Sequence, residues 1–151
     1  MLYLRVKDID ALERDPDVAG QWFADEDPLD LGQAWHALHV LLNGSAWGGS
    51  PPLFDAVLGG SPLGDPTSYE PIRYVGPGEV EAVAEALPTP EELVPRFTHK
   101  AMKLAEAYPD AWWDEADVLT ARLLPAYHDL VLLFTDAAAA GEAVLITMER
   151  D

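Results

Sequence analysis

Ala143-Val144-Leu145-Ile146-Thr147-Met148 is an apolar run in which the hydrophobic residues do not alternate with polar ones. Gly141 precedes it and charged residues follow. A run of this length with these flanks reads as a strand buried on both faces, at the centre of a sheet. Upstream, Tyr127, Leu130, Val131, Phe134 and Ala138 repeat at helical spacing, and Gly141 stands where that helix must stop. The reading is a helical region over about 115–140 that Pro125 breaks, because proline has no N–H to bond the preceding turn.

A second strand is legible at the other end. Leu2, Leu4 and Val6 alternate with Tyr3, Arg5 and Lys7, the period of a half-buried strand. Asp8 and Asp17 open short helices, the second carrying Val18, Trp22 and Phe23, and Asp25-Glu26-Asp27-Pro28 is a connector. Asp30 reads as the N-cap of a helix from Leu31 to Asn43 that stops at Gly44. Leu53 to Leu58 reads as a short strand ended by Gly59-Gly60, and Ile72-Arg73-Tyr74-Val75 as another. Pro77 opens a helix carrying Val80, Val83, Ala84 and Leu87. Thr89-Pro90-Glu91-Glu92 has the residues of a capping box, and Thr98 caps the next helix. The expected architecture is α+β: one domain over residues 1–151, a small mixed sheet with several helices packed on it.

Composition narrows the function classes. The 27 acidic and 9 basic side chains give a net charge of −18, which repels nucleic-acid phosphates and anionic lipids and favours a basic protein partner or a cationic ligand. There is no cysteine, which removes disulfides, thiolate metal sites and a cysteine nucleophile together and suits a reducing cytoplasm. The start Met1-Leu2-Tyr3-Leu4-Arg5 has no secretion pattern, and the apolar stretch 34–42 is far below the roughly 20 residues of a membrane span.

Standard catalytic signatures fail on inspection. Gly60-Ser61-Pro62-Leu63-Gly64 misplaces the serine of a nucleophile elbow, Gly76-Pro77-Gly78 lacks the third glycine of a dinucleotide loop, and the Asp25/Asp27 start of a calcium loop has Asp30 where the turn glycine belongs. What remains is Trp35-His36-Ala37-Leu38-His39. Helical geometry puts Trp35, Leu38, Leu41 and Leu42 on the core face, His39 at its edge and His36 about 60° further towards solvent. Two histidines three apart can share a metal, but a third and fourth ligand are missing, so no metal and no cofactor is expected. His39 then bonds a backbone carbonyl and His36 is exposed. Trp47, in a glycine-rich loop, can roof a pocket or pin its loop to the core. Arg73, between Tyr69 and Tyr74, suits an anion, though an ion pair is the commoner use. His36, His39, Trp35, Trp47, Arg73 and Tyr74 are therefore the candidate binding residues.

The pattern resembles the YfbM-like family of bacterial proteins of unknown function, over about residues 2–149. It is carried by Trp35, Leu38-His39, Leu42 and Gly44, by Pro52-Leu53 with Leu58-Gly59-Gly60, and by Tyr69, Pro71, Arg73-Tyr74, Pro77 and Glu79-Val80. Phe97, Met102, Tyr108-Pro109, Trp112 and Gly141, Ala143-Val144-Leu145 continue it. The resemblance implies a compact α+β fold and no characterised reaction. It also implies weight on His39 rather than His36, since the family pattern does not consistently carry the latter. The expectation is a non-catalytic binding protein with an acidic surface. The alternative is a small-molecule-binding protein or an enzyme, with its site around His39, Trp47 and Arg73.

Overall fold

The computed structural model describes residues 1–63 and 71–148. Its strands are β1 (Leu2–Val6), β2 (Leu29–Asp30), β3 (Ser61–Pro62), β4 (Arg73–Val75) and β5 (Ala143–Thr147). They form one sheet in the order β2-β1-β5-β4-β3. β5 is central, flanked by β1 (Tyr3 opposite Ile146) and β4 (Tyr74 opposite Leu145). Val144, Leu145 and Ile146 are fully buried, as a strand covered on both faces requires. Every pair among the described strands is antiparallel, so the sheet is not the mixed one expected. None of the helices between paired strands has to make a parallel crossover.

Helices cover both faces. On one, α1 (Ile9–Arg14) and α2 (Val18–Asp25) bring Leu12 and Ala19 onto Leu4, Val6 and Leu145. Asp8 caps α1 by accepting the N–H of Ala11 at 3.0 Å. On the other lie α3 (Trp35–Asn43), α4 (Pro77–Ala86), α5 (Pro90–Leu93), α6 (His99–Leu104) and α7 (Leu124–Ala140). There Val80, Val83, Tyr127, Leu130 and Phe134 meet Tyr3, Val144 and Ile146 in the main core. Each such large apolar side chain contributes about 1.5–3 kcal/mol on burial. Because β1 has helices on both sides, Tyr3 is as buried as Leu4 and Val6, and the strand is not half-exposed as its alternation suggests.

Several local expectations hold and others shift. Thr89 and Thr98 cap α5 and α6, accepting from Glu92 at 3.2 Å and Ala101 at 2.9 Å. A π-helical turn, Leu119–Leu123, runs directly into α7, and the helical bonding pattern changes just before Pro125, the second residue of α7. The helical region thus begins later than residue 115, and Asp110–Asp114 forms a separate 3-10 turn. Asp30 ends β2 rather than opening α3: its carboxylate accepts from Gly32 and leads into the 3-10 turn Gly32–Ala34. Leu53–Ala56 is a 3-10 turn, not a strand. It is tied down by the Tyr3 hydroxyl, which donates to Ala56 O at 2.7 Å.

Candidate functional site

Helix α3 is buried along almost its whole length, from Trp35 to Leu42. The loop after it, released by Gly44 in the left-handed conformation (φ 71°), folds back across the helix. His36 is therefore buried, not exposed. Helical angles alone could not show this, because its covers come from the loop and from the segment around Tyr108.

The two histidines hold that loop. His36 Nε2 lies 2.9 Å from Ala46 O and His39 Nε2 lies 2.9 Å from Gly48 O. The backbone N–H of Tyr108 donates to His36 Nδ1 at 2.9 Å. That assigns the lone pair to Nδ1 and the hydrogen to Nε2, so both ring nitrogens are committed. His39 has the same tautomer, since Asn43 Nδ2 donates towards its Nδ1 at 3.3 Å. Burial lowers the pKa of His39, opposed by its bond to Gly48 and reinforced by nearby His36. Asn43 itself leaves room only for glycine at position 49, where a Cβ would sit 2.3 Å from Asn43 Oδ1.

Trp47 is held between these two gripped carbonyls. It is 64% exposed, so it does not pin the loop to the core. Its ring stacks on His36 at 4.4 Å between centroids and stands 6.3 Å from Trp35. The ring of Tyr108 also neighbours Trp35, at 6.2 Å between centroids. Tyr108 is fixed at both ends: its N–H by His36, and its hydroxyl by Gln33 Nε2, which donates at 2.9 Å. The neighbouring Ala107 carbonyl accepts from the buried indole of Trp113 at 2.6 Å. Between these rings opens a cavity of about 570 Å³, completed by Met1, Gln33, Glu106 and Met148.

Glu106 reaches the cavity from an unusual backbone. α6 ends in a paired motif, Glu106 N–H to Lys103 O at 3.1 Å and Ala107 N–H to Met102 O at 3.0 Å. This places Glu106 at φ 53°. α7 ends the same way, with Gly141 N–H to Ala138 O and Glu142 N–H to Ala137 O, but there glycine takes the left-handed position. Glu106 is the non-glycine residue with positive φ among those described.

His39 and Arg73 do not line this cavity. Arg73 is an internal staple: Nη1 donates to Gly59 O at 2.6 Å and Nη2 to Val57 O at 2.9 Å, with Met1 Sδ at 3.5 Å. Its partners are carbonyls, so among the described residues the ion pair expected of it is not formed. Burial lowers its pKa. Gly59 is required beside it, since a Cβ there would meet Asp55 Cα at 2.5 Å. Tyr74 packs on the opposite face of the sheet, with Leu4 and Leu145. Tyr69 lies outside the described residues. Of the candidate residues, then, Trp35, His36 and Trp47 meet in one place, and Gln33, Glu106 and Tyr108 join them unannounced. Among the described residues no three histidine or acidic side chains are grouped to hold a metal.

Residues 2–147 match the family model described as "Domain of unknown function (DUF1877)". The chain belongs to the DUF1877 family. Its fold is similar to that of YfbM from Escherichia coli, a protein of unknown function, with a TM-score of 0.72 and 22% identity. That match covers 99% of this chain and 100% of the other, so the YfbM-like architecture runs through the whole DUF1877 domain. No curated protein matches the sequence. No helix among the described residues of this DUF1877 chain is long and apolar enough to cross a membrane.

Proposed function

We propose that this DUF1877 protein is a non-catalytic binding protein that receives its ligand in the cavity between Trp35, Trp47 and Tyr108. The observation that carries the reading is Trp47, a large aromatic side chain left 64% exposed while both residues flanking it are hydrogen bonded into place. Leaving an indole in water while fixing its backbone forgoes burial and gains a preformed wall. The surrounding rings are apolar, and a few polar groups on Gln33, Glu106 and Tyr108 supply orientation. Chemistry has less support. His36 has no free nitrogen to take or give a proton, and Glu106 is the one carboxylate among the described lining residues. The net charge of −18 favours cationic ligands, or a basic protein presenting a cationic side chain.

The test is a solution screen of small apolar, anionic and cationic compounds, read by the indole N–H resonances of the protein. Binding should move the signals of Trp35 and Trp47 together, and Trp47→Ala should abolish the response. Ligands that instead map to the groove of Leu41, Arg96, Met102 and Leu104 would overturn the assignment of the site.

A further inference from the structure

We infer that this cavity is an aromatic cage for an alkylated ammonium group, with Glu106 as its countercharge. The inference rests on the cavity being the binding site and specifies its ligand. A cation is attracted to the electron-rich face of an aromatic ring within about 6 Å, and indole is the strongest such partner. Here two indoles and a phenol are grouped, with Trp35 6.3 Å from Trp47 and 6.2 Å from Tyr108. Glu106 lines the same cavity, and none of the described lining residues is lysine or arginine.

The lining chooses between kinds of cation. A primary ammonium carries three N–H donors and leaves water only where acceptors replace it. This cavity is instead lined mainly by aromatic side chains and by Met1 and Met148, whose thioethers accept hydrogen bonds only weakly. A quaternary or methylated ammonium has few or no donors to satisfy and a large, weakly hydrated surface. It matches such a lining.

The backbone of Glu106 is the independent observation. The motif that ends α6 is built for glycine, as its twin at Gly141 shows, yet position 106 carries a side chain at φ 53°. Left-handed backbone is costly for a residue with a Cβ, and such positions gather where a side chain is needed. The carboxylate this retains is shared with an adjoining cavity of about 580 Å³ lined by Glu106, Tyr108, Pro109 and Asp110. A second acidic group thus continues the path of a cation bound against Tyr108.

The ammonium can belong to a free small molecule or to a methylated lysine on a protein, and calorimetry with defined probes separates them. The probes are choline, tetramethylammonium, the neutral isostere 3,3-dimethyl-1-butanol, and a peptide with and without N-trimethyllysine. Choline or the methylated peptide should bind at least about tenfold tighter than its neutral or unmethylated counterpart. Trp47→Ala and Glu106→Gln should each weaken that binding by about fivefold or more without lowering the melting temperature, since both side chains are exposed. A preference for choline assigns a free ligand and a preference for the peptide a protein-borne one. Either supports the cage. If the isostere binds as tightly as choline, or the two substitutions leave choline binding unchanged, the cation assignment fails while the cavity reading can still stand. If none of the probes disturbs Trp47 and the broader screen finds no ligand there, both fail.

Discussion

His36 and His39, one turn apart on α3, bond the carbonyls of Ala46 and Gly48, the two residues either side of Trp47. The pair that a metal-site reading would single out therefore acts as a clamp on backbone. His39→Ala should lower stability by about 1–3 kcal/mol, the cost of orphaning buried partners. Denaturant unfolding measures that loss. Amide exchange at Gly48 and its neighbours should quicken in the same variant, which simple loss of core volume would not single out.

The clamp has a pH dependence with a defined sign. Burial lowers the folded-state pKa of His39 below its ordinary 6.5, so the unfolded chain binds its proton first as pH falls. The stability His39 contributes is complete above about pH 6.5 and declines as pH drops from there through the lowered folded value. Glutamine at 39 can donate to Gly48 without titrating. Unfolding free energies of wild type and His39→Gln, measured from neutral to mildly acidic pH, should show a steeper fall for wild type.

Glu106→Gly should stabilise the protein by up to about 1 kcal/mol, the relief of a left-handed non-glycine residue less the extra freedom of the unfolded chain. Thermal or denaturant melts check it. Gly141→Ala, at the matching end of α7, should move stability in the opposite direction by a similar amount.

Arg73→Lys should cost about 1–3 kcal/mol despite keeping the charge. One planar guanidinium spans the carbonyls of Gly59 and Val57, and a single ammonium cannot reproduce both bonds. Equilibrium unfolding of the variant is the measurement. A loss shared equally by Arg73→Met would assign the effect to the hydrogen bonds rather than to charge.

Leu145→Ala should cost about 2–5 kcal/mol, because Leu145 is fully buried at the middle of the central strand, against Leu4 and Leu12. Its depth was legible in the sequence, as were Gly44, Gly141, Thr89 and Thr98. Each of these signals is local: an uninterrupted apolar run, a glycine past a helix, a threonine three residues before the N–H it caps. A short apolar run such as residues 53–58 suits a strand or a helical turn equally, and a tertiary bond from Tyr3 holds Leu53–Ala56 as a turn. The site was half legible. Trp35 and Trp47 stand out as large aromatics in or beside α3, but the burial of His36 depends on Tyr108, 72 residues away. Glu106 has no mark in the sequence at all, since the residue that normally announces its backbone conformation is glycine.

The pairing of β1 with β5 sets the order of events when the chain folds. Tyr3 faces Ile146 across nearly the entire sequence, and β4, paired with nearby β3 on one side, must also wait for β5 on the other. Closing so large a loop adds little free energy, about 0.6 kcal/mol for each doubling of length, but such distant contacts slow the search. Helices such as α7 can form from near neighbours, while the sheet waits for its middle. Until β5 docks, β1 and β4 have unpaired edges and Val144-Leu145-Ile146 is uncovered, so this interval is when self-association competes most strongly with folding.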